Sequence, residues 1–272
     1  MNKQAILIAS PGTSVPDIQN SALTCIKRTI SVQFPGCEIR EAFTSTRIIE
    51  RLKEVSGMEV DSVNQALEKA AAEGVRRLAV LPLHLTYGRE YAKLVSAFQE
   101  QERLFAQAWL GTPLLSGEAD VAAVAKAVVQ RTAAFDDGRT AACLVGHGSG
   151  ELRAADAEDC YTRVQKKLAQ AGYGNYFVGV LKGKPSLEEL RSFLQKNSKY
   201  QRVVLLPLMV EAGSHARWDI AGEQEASWKR VLEREGYETV CILEGLGQLG
   251  QVQKLYVEHV RFQRRGVEWR KY

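Results

Sequence analysis

Two apolar runs of the same design constrain this chain more than any other feature of its sequence. Residues 78–83 read Leu-Ala-Val-Leu-Pro-Leu, and residues 203–208 read Val-Val-Leu-Leu-Pro-Leu. The glycine that follows each proline stands at the same offset in both segments, as Gly88 and Gly213. Continuous apolar runs of this length are typical of strands buried on both faces of a parallel sheet. The repetition predicts a chain made of two similar halves.

Each half alternates short apolar runs with helical patterns of about ten or more residues, which indicates βαβ units. We therefore predict an α/β protein with two similar lobes, each a mainly four-stranded parallel sheet flanked by helices and related by an internal repeat. A turn at residues 136–138 marks the expected division into lobes 1–135 and 136–272, the second carrying both site histidines. The last helix is expected to pack back on the first lobe.

The composition excludes several classes of protein. The net charge is +4, and no segment combines dense Lys and Arg with aromatic residues as nucleic-acid-binding surfaces do. No apolar run is long enough to span a bilayer, and the first residues lead into a strand without a signal-peptide pattern. The five cysteines are scattered without a CxxC pair, which argues against a zinc knuckle or a disulfide framework. We expect a cytoplasmic protein without nucleic-acid or membrane partners.

Two histidines follow predicted strands of the second half. His147 lies between two glycines after an apolar run, and His215 follows Gly213. The carboxyl ends of parallel strands form the ligand-binding edge of an α/β sheet, so we expect the two imidazoles to converge. Glu90 stands in the first half where His215 stands in the second. Two imidazoles and a carboxylate suit a divalent metal such as cobalt, nickel, iron or zinc.

Each of these residues also has a simpler interpretation. A single loop histidine is more often a surface residue than a ligand. Glu90 can serve only to place a negative charge at a helix amino-terminus. Of the other two histidines, His84 is expected to be a hydrogen-bonded core residue and His259 a solvated one.

Small-residue turns after the first strand of each half are the predicted contacts for a large flat ligand. Residues 146–150 read Gly-His-Gly-Ser-Gly, and residues 10–14 read Ser-Pro-Gly-Thr-Ser. The first of these lacks the Gly-Lys-Ser/Thr ending of a P-loop and the spacing of a dinucleotide fingerprint, so no nucleotide is predicted. The predicted binding residues in the two turns are Ser10, Gly12, Thr13 and Ser149.

Five short motifs, in order over nearly the whole chain, are shared with one known family. They are Phe-Thr-Ser at 43–45, Gly-x-Glu-Tyr at 88–91, Gly-Thr-Pro-Leu-Leu at 111–115, Gly-His-Gly at 146–148, and Leu-Pro-Leu-Met leading into Ala-Gly-Ser-His-Ala at 206–216. Together they resemble the anaerobic cobalt chelatases, the sirohydrochlorin cobaltochelatases of the ATP-independent class II group.

The resemblance implies two α/β lobes around a tetrapyrrole cleft and insertion of Co2+ into sirohydrochlorin on the oxygen-independent route to cobalamin. It implies that His147 and His215 bind the incoming metal and take up the pyrrole protons, with Glu90 facing them. Ni2+ and Fe2+ are the alternative metal substrates, and a homo-oligomer is expected. The candidates for holding the substrate's carboxylates are Arg89, Lys182, Lys184 and Arg217.

One residue departs from the family pattern. Where the family often has a Val-Glu-Gly-Tyr-Pro segment with a glutamate at the metal, residues 181–185 read Leu-Lys-Gly-Lys-Pro, so Lys182 replaces the acid. An ammonium group cannot bind a cation. Glu211 stands where the family usually has an apolar residue. Either Glu211 supplies the carboxylate as a metal ligand while Lys182 grips the substrate, or the protein is a haem- or tetrapyrrole-binding carrier without metalation activity.

Overall fold

The computed structural model of the chain describes residues 3–13, 21–148 and 155–264. Their contacts group into two compact units. One contains the described residues up to Leu114 and those from Gln253 onward, and the other is Leu115–Val252. The division after residue 135, which was expected from the repeat, stays a prediction.

The first unit is a parallel sheet with helices. In chain order it contains β1 (Lys3–Ser10), α1 (Ala22–Gln33), β2 (Glu38–Phe43), α2 (Thr46–Ser56), α3 (Val63–Ala72), β3 (Val75–Pro82), α4 (Arg89–Gln101) and β4 (Gln107–Leu110). The strand order is β2-β1-β3-β4. The central strands β1 and β3 carry the apolar runs and are buried, whereas the edge strands β2 and β4 are only partly buried.

The second unit repeats this plan. It contains α5 (Glu118–Thr132), β5 (Thr140–Gly148), α6 (Ala155–Gln170), β6 (Tyr176–Lys182), α7 (Leu187–Lys196), β7 (Arg202–Pro207), a π-helical turn (Ala216–Ile220), α8 (Trp228–Arg234) and β8 (Glu238–Cys241). The strand order is β6-β5-β7-β8, and every pairing is parallel. The same order in both sheets confirms the predicted pair of similar four-stranded parallel sheets. A last helix, α9 (Gly250–Arg264), begins in this unit, and from Gln253 on it groups with the first.

Local hydrogen bonds set the ends of two elements of the second unit. Strand β7 ends at Pro207, because Met209 and Val210 accept hydrogen bonds from the backbone of residues 246 and 247 instead of extending the ladder. Helix α8 begins at Trp228, because the hydroxyl of Ser227 caps it by accepting from the amide of Arg230 at 3.2 Å.

A buried histidine lies at the carboxyl edge of the first sheet. His84 is 4% exposed, and its Nε2 lies 3.2 Å from the hydroxyl of Thr44. The amide of Thr44 donates to the carbonyl of Ser10 at 2.8 Å, which ties the ends of β1 and β2 to this cluster. Nδ1 of His84 has no hydrogen-bond partner among the described residues, so the prediction of a fully hydrogen-bonded core histidine is wrong at this atom. Burial lowers the pKa of His84 to about 3.

The buried ring predicts a specific loss of stability in acid. The unfolded chain binds a proton at His84 near its ordinary pKa of 6.5, whereas the folded protein does not until about pH 3. The stabilisation by the neutral ring is therefore complete above pH 6.5 and is lost as the pH falls toward 3. Between pH 7 and pH 5, we expect the wild type to lose about 2 kcal/mol more unfolding free energy than His84→Gln. Urea unfolding followed by circular dichroism measures this difference, since the other histidines are common to both proteins. Equal losses would contradict it.

Candidate metal centre

The second sheet brings His147 and His215 to one edge. The chain leaves β5 for β6 on one side and returns to β7 on the other, so the carboxyl ends of β5 and β7 form the switch point where α/β sheets bind ligands. His147 is the penultimate residue of β5, and His215 directly precedes the π-helical turn. The strand thus runs beyond the predicted apolar run and includes His147.

The two imidazoles converge, as the strand-end argument predicts. Their Nε2 atoms are 3.2 Å apart, and the ring centroids are 4.6 Å apart with the planes inclined by 70°. His147 is half-buried, and the side chain of His215 is 43% exposed. One ring is therefore anchored in the sheet edge while the other has access to solvent.

The hydrogen bonds at the far nitrogens determine where the protons lie. Nδ1 of His147 is 2.7 Å from the carbonyl oxygen of Gly148, and Nδ1 of His215 is 2.6 Å from Oδ2 of Asp219. A carbonyl and a carboxylate only accept hydrogen bonds, so each Nδ1 carries the proton. Each neutral ring therefore has its lone pair on Nε2. Two lone pairs that face each other at this distance make the pair a candidate site for a cation.

The spacing fits a single metal ion. With metal–nitrogen bonds of about 2.0–2.1 Å, two neighbouring nitrogens at a tetrahedral or octahedral centre lie about 2.9–3.4 Å apart. The observed separation of the Nε2 atoms, 3.2 Å, falls in this range. The distance between the two nitrogens is therefore compatible with one shared ion.

Burial favours the neutral form of His147. It lowers the pKa of the His147 imidazole below its ordinary value because the charged form is poorly solvated there. The bond to the Gly148 carbonyl opposes this effect, while the charge of Lys182 adds to it. A neutral imidazole is the form that binds a metal.

Comparison with known proteins identifies the family. The chain matches the family described as cobalt chelatase (CbiK) over residues 4–263. The chain belongs to the CbiK cobalt chelatase family. It is 31% identical over 260 residues to "Sirohydrochlorin cobaltochelatase" of Salmonella typhimurium, with 95% of each chain covered. It is 29% identical to "Sirohydrochlorin cobaltochelatase CbiKC" of Nitratidesulfovibrio vulgaris, covering 96% of this chain and 90% of that protein.

A solved structure shares the fold of this CbiK family member. SirB from Bacillus subtilis with Fe3+ aligns with a TM-score of 0.67 at 17% identity and covers 96% of this chain and 95% of that one. At this identity the likeness concerns the fold alone.

Within the described residues, no helix is both long enough and apolar enough to cross a membrane.

The structure assembles only part of the predicted site. Among residues 3–13, 21–148 and 155–264, no group of three or more His, Cys, Asp or Glu side chains is placed to hold one metal ion. Glu211 is not part of such a group, and its role as a metal ligand stays a prediction. Lys182 is exposed at the end of β6, where its backbone pairs with Gly148.

The predicted residues of the first half lie in the other unit. Glu90 is in the first turn of α4 and accepts a hydrogen bond from Lys93 at 2.8 Å. Ser10 ends β1, and its hydroxyl accepts from the amide of Gly12 at 3.2 Å, with Thr13 directly after. The placement of these residues opposite the histidines stays a prediction. Ser149 lies outside the described residues.

Two residues of the site were missed from the sequence. Asp219 bonds to His215, and Tyr161, on α6, lies under the His147 strand end and accepts from the amide of Gly148 at 3.4 Å. Burial raises the pKa of Tyr161 to about 12, so it stays a neutral phenol. The spacing of four between His215 and Asp219 was the available signal for the first. Nothing in the local pattern indicates the second.

The glycines around His147 serve packing within the CbiK fold. A Cβ on Gly146 would lie 2.2 Å from the ring of Tyr161, and a Cβ on Gly148 would lie 1.9 Å from the carbonyl oxygen of Lys182. Gly148 also has a φ of +71°, which disfavours other residues. Likewise, Gly12, which we expected to admit a ligand, has a φ of +85° and leaves no room for a Cβ beside the ring of Phe43. Backbone conformation and close packing within the fold therefore explain why glycine is required at each of these three positions.

Gly148→Ala should distort the metal centre. The left-handed conformation alone costs about 1–2 kcal/mol, and the clash with the backbone of Lys182 adds to it because backbone cannot move aside as a side chain can. We expect a lower melting temperature and weaker Co2+ binding, measured by calorimetry. The matched control is Gly174→Ala in the same unit, where a Cβ would meet nothing within 4 Å. Equal behaviour of the two variants would show that the strand end tolerates a side chain.

Proposed function

We propose that this protein inserts Co2+ into sirohydrochlorin, with His147 and His215 as the pair that binds the incoming metal. The observation that carries the proposal is the pair of Nε2 atoms held 3.2 Å apart at the switch point of the second sheet. Membership of the CbiK family and two relatives named sirohydrochlorin cobaltochelatase support the substrate and the metal.

A site with two imidazoles suits a metal that must leave again. A closed four-ligand cage holds its ion structurally, whereas a centre with few protein ligands keeps open positions for incoming groups. The pyrrole nitrogens of the macrocycle can take these positions while the ion is still bound to the histidines. Co2+ then exchanges imidazole nitrogens for pyrrole nitrogens one bond at a time.

The same histidines can remove the protons that insertion displaces. A divalent ion that enters the macrocycle displaces two pyrrole N–H protons, and neutral imidazoles are suitable bases near neutral pH. As each imidazole releases the ion during the exchange, its Nε2 lone pair becomes available to accept one of the two pyrrole protons. Two neighbouring imidazolium rings repel each other, and the exposure of His215 gives the protons a route to water.

Lys182 suits substrate binding better than metal binding. Its ammonium group is exposed beside the strand end that holds His147, and its charge acts on that ring. A cation there repels the metal but attracts the carboxylates of sirohydrochlorin. We assign Lys182 to the substrate, with Ser10, Gly12, Thr13 and Ser149 as further substrate contacts and Glu90 as the opposing carboxylate.

We place the reaction in the cytoplasm and take Ni2+ and Fe2+ as the competing metals. A haem- or tetrapyrrole-binding carrier without metalation activity is the alternative function. All five cysteines are free thiols, as is usual in a reducing compartment. Imidazole ligands alone favour Ni2+ over Co2+, so metal choice depends on supply as well as on the site.

Replacing either histidine tests the proposal directly. We expect His147→Ala and His215→Ala each to lower the rate of Co2+ insertion by about 100-fold or more, since each loses a ligand and a base. The absorption spectrum of sirohydrochlorin mixed with Co2+ and protein measures the rate, and circular dichroism checks the fold. His259→Ala, on α9, is the control histidine. Co2+ insertion that continues at the wild-type rate in both variants would contradict the proposal. Tight binding of sirohydrochlorin by the wild type without Co2+-dependent turnover would instead support the carrier function.

Glu211→Gln tests the remaining candidate for a third ligand. Because Glu211 forms no three-residue metal group with the histidines, we expect the variant to bind Co2+ with nearly the wild-type affinity in a calorimetric titration. The matched control is Glu225→Gln, an exposed acid of the same unit. A loss of about tenfold or more, as ligands and their direct partners produce, would instead make Glu211 part of the metal site.

A further inference from the structure

We infer that Asp219 is a positioning residue that holds the His215 imidazole with its Nε2 lone pair toward His147. The inference rests on the proposed function, in which His215 binds the metal. It assigns Asp219 a role that acts through the imidazole it contacts.

The contact between the two side chains is short and directional. Oδ2 of Asp219 lies 2.6 Å from Nδ1 of His215, and the opposite ring nitrogen lies 3.2 Å from Nε2 of His147. A hydrogen bond to an ionised carboxylate is about twice as strong as one between neutral groups. It fixes both the tautomer and the rotation of the ring, which points Nε2 at its partner.

The π-helical turn that links His215 to Asp219 is held in place by its own hydrogen bonding and by buried side chains. The segment from Ala216 to Ile220 forms a wide π-helical turn, in which the amide of Ala221 donates to the carbonyl of Ala216 at 3.1 Å. The side chains of Ala216 and Ile220 are fully buried in the core of the second unit. The turn is therefore anchored from beneath, while His215 and Asp219 are both partly exposed on its outer side, at 43% and 50%.

The two histidines are consequently not equivalent. Nδ1 of His147 donates to a neutral backbone carbonyl, whereas Nδ1 of His215 donates to a carboxylate. A carboxylate partner raises the electron density of the imidazole and makes it the better metal ligand. Removing Asp219 should therefore weaken metal binding even though every atom that touches the ion remains.

The experiment compares Asp219→Asn and Asp219→Ala with wild type. We expect Kd for Co2+, supplied as the chloride and measured by calorimetry, to rise by about 10–100-fold in both variants, the usual effect of losing such a partner. In Asp219→Asn the amide can donate to Nδ1, so we also expect His215 to carry its proton on Nε2. Long-range 1H–15N NMR of the metal-free protein reports this tautomer, which a merely structural role would not change. Asp136→Asn, an exposed acid elsewhere in the unit, is the matched control.

The outcomes separate the inference from the proposed function. If both Asp219 variants keep the wild-type Kd and His215 keeps its proton on Nδ1, the inference is overturned while the chelatase proposal stands. If His215→Ala binds Co2+ as tightly as wild type, the proposed function fails. A melting temperature close to wild type in the Asp219 variants ensures that a change in Kd reports the site rather than unfolding.

Discussion

The site depends on where the pairing of β5 with β7 stops. The two strands stay in register up to Val145 and Pro207, and the amide of Leu208 makes a last bond to the carbonyl of Val145 at 2.8 Å. Beyond that point β5 continues beside β6, whereas the chain after β7 turns toward the loop before α9. The divergence leaves an open sheet edge. His147 lies at this edge because it is near the end of β5, and His215 lies there because it directly precedes the π-helical turn.

The two units show how one scaffold can have different chemistry at the same edge. In the first sheet the corresponding edge is filled by His84, Thr44 and Ser10, whose contacts are buried. Burial there removes His84 from acid–base chemistry at neutral pH, because its pKa falls to about 3. In the second sheet the two histidines are only partly buried and stay reachable, and burial lowers the pKa of His147 below its ordinary value. Exposure, rather than residue type, distinguishes the core histidine from the candidate ligands.

The sequence was sufficient for the fold and for the histidine pair. Apolar runs buried on both faces, together with the repeated proline and glycine, predict the two parallel sheets, and strand ends predict the convergence of His147 and His215. The contact between Asp219 and His215 was missed because their spacing of four is a weak signal on its own, and a π-helical turn leaves no distinct apolar period in five residues to support it. Tyr161 was missed because its contact with Gly148 depends on how α6 packs on β5, which no local pattern records.

The hydrogen bonds behind the rings explain how a site can attract a metal without retaining it. If the Nδ1 of either ring lost its hydrogen-bond acceptor, that ring could carry its proton on Nε2 instead. Its Nε2–H would then donate to the Nε2 of the other ring, and the two nitrogens would no longer both present lone pairs. With both acceptors in place, the protons stay on the Nδ1 atoms and this hydrogen bond between the rings does not form. The two Nε2 lone pairs then favour a cation. In the proposed reaction only these two nitrogens hold the ion, so a macrocycle with four can outcompete them. The same arrangement therefore favours both capture of the ion and its transfer.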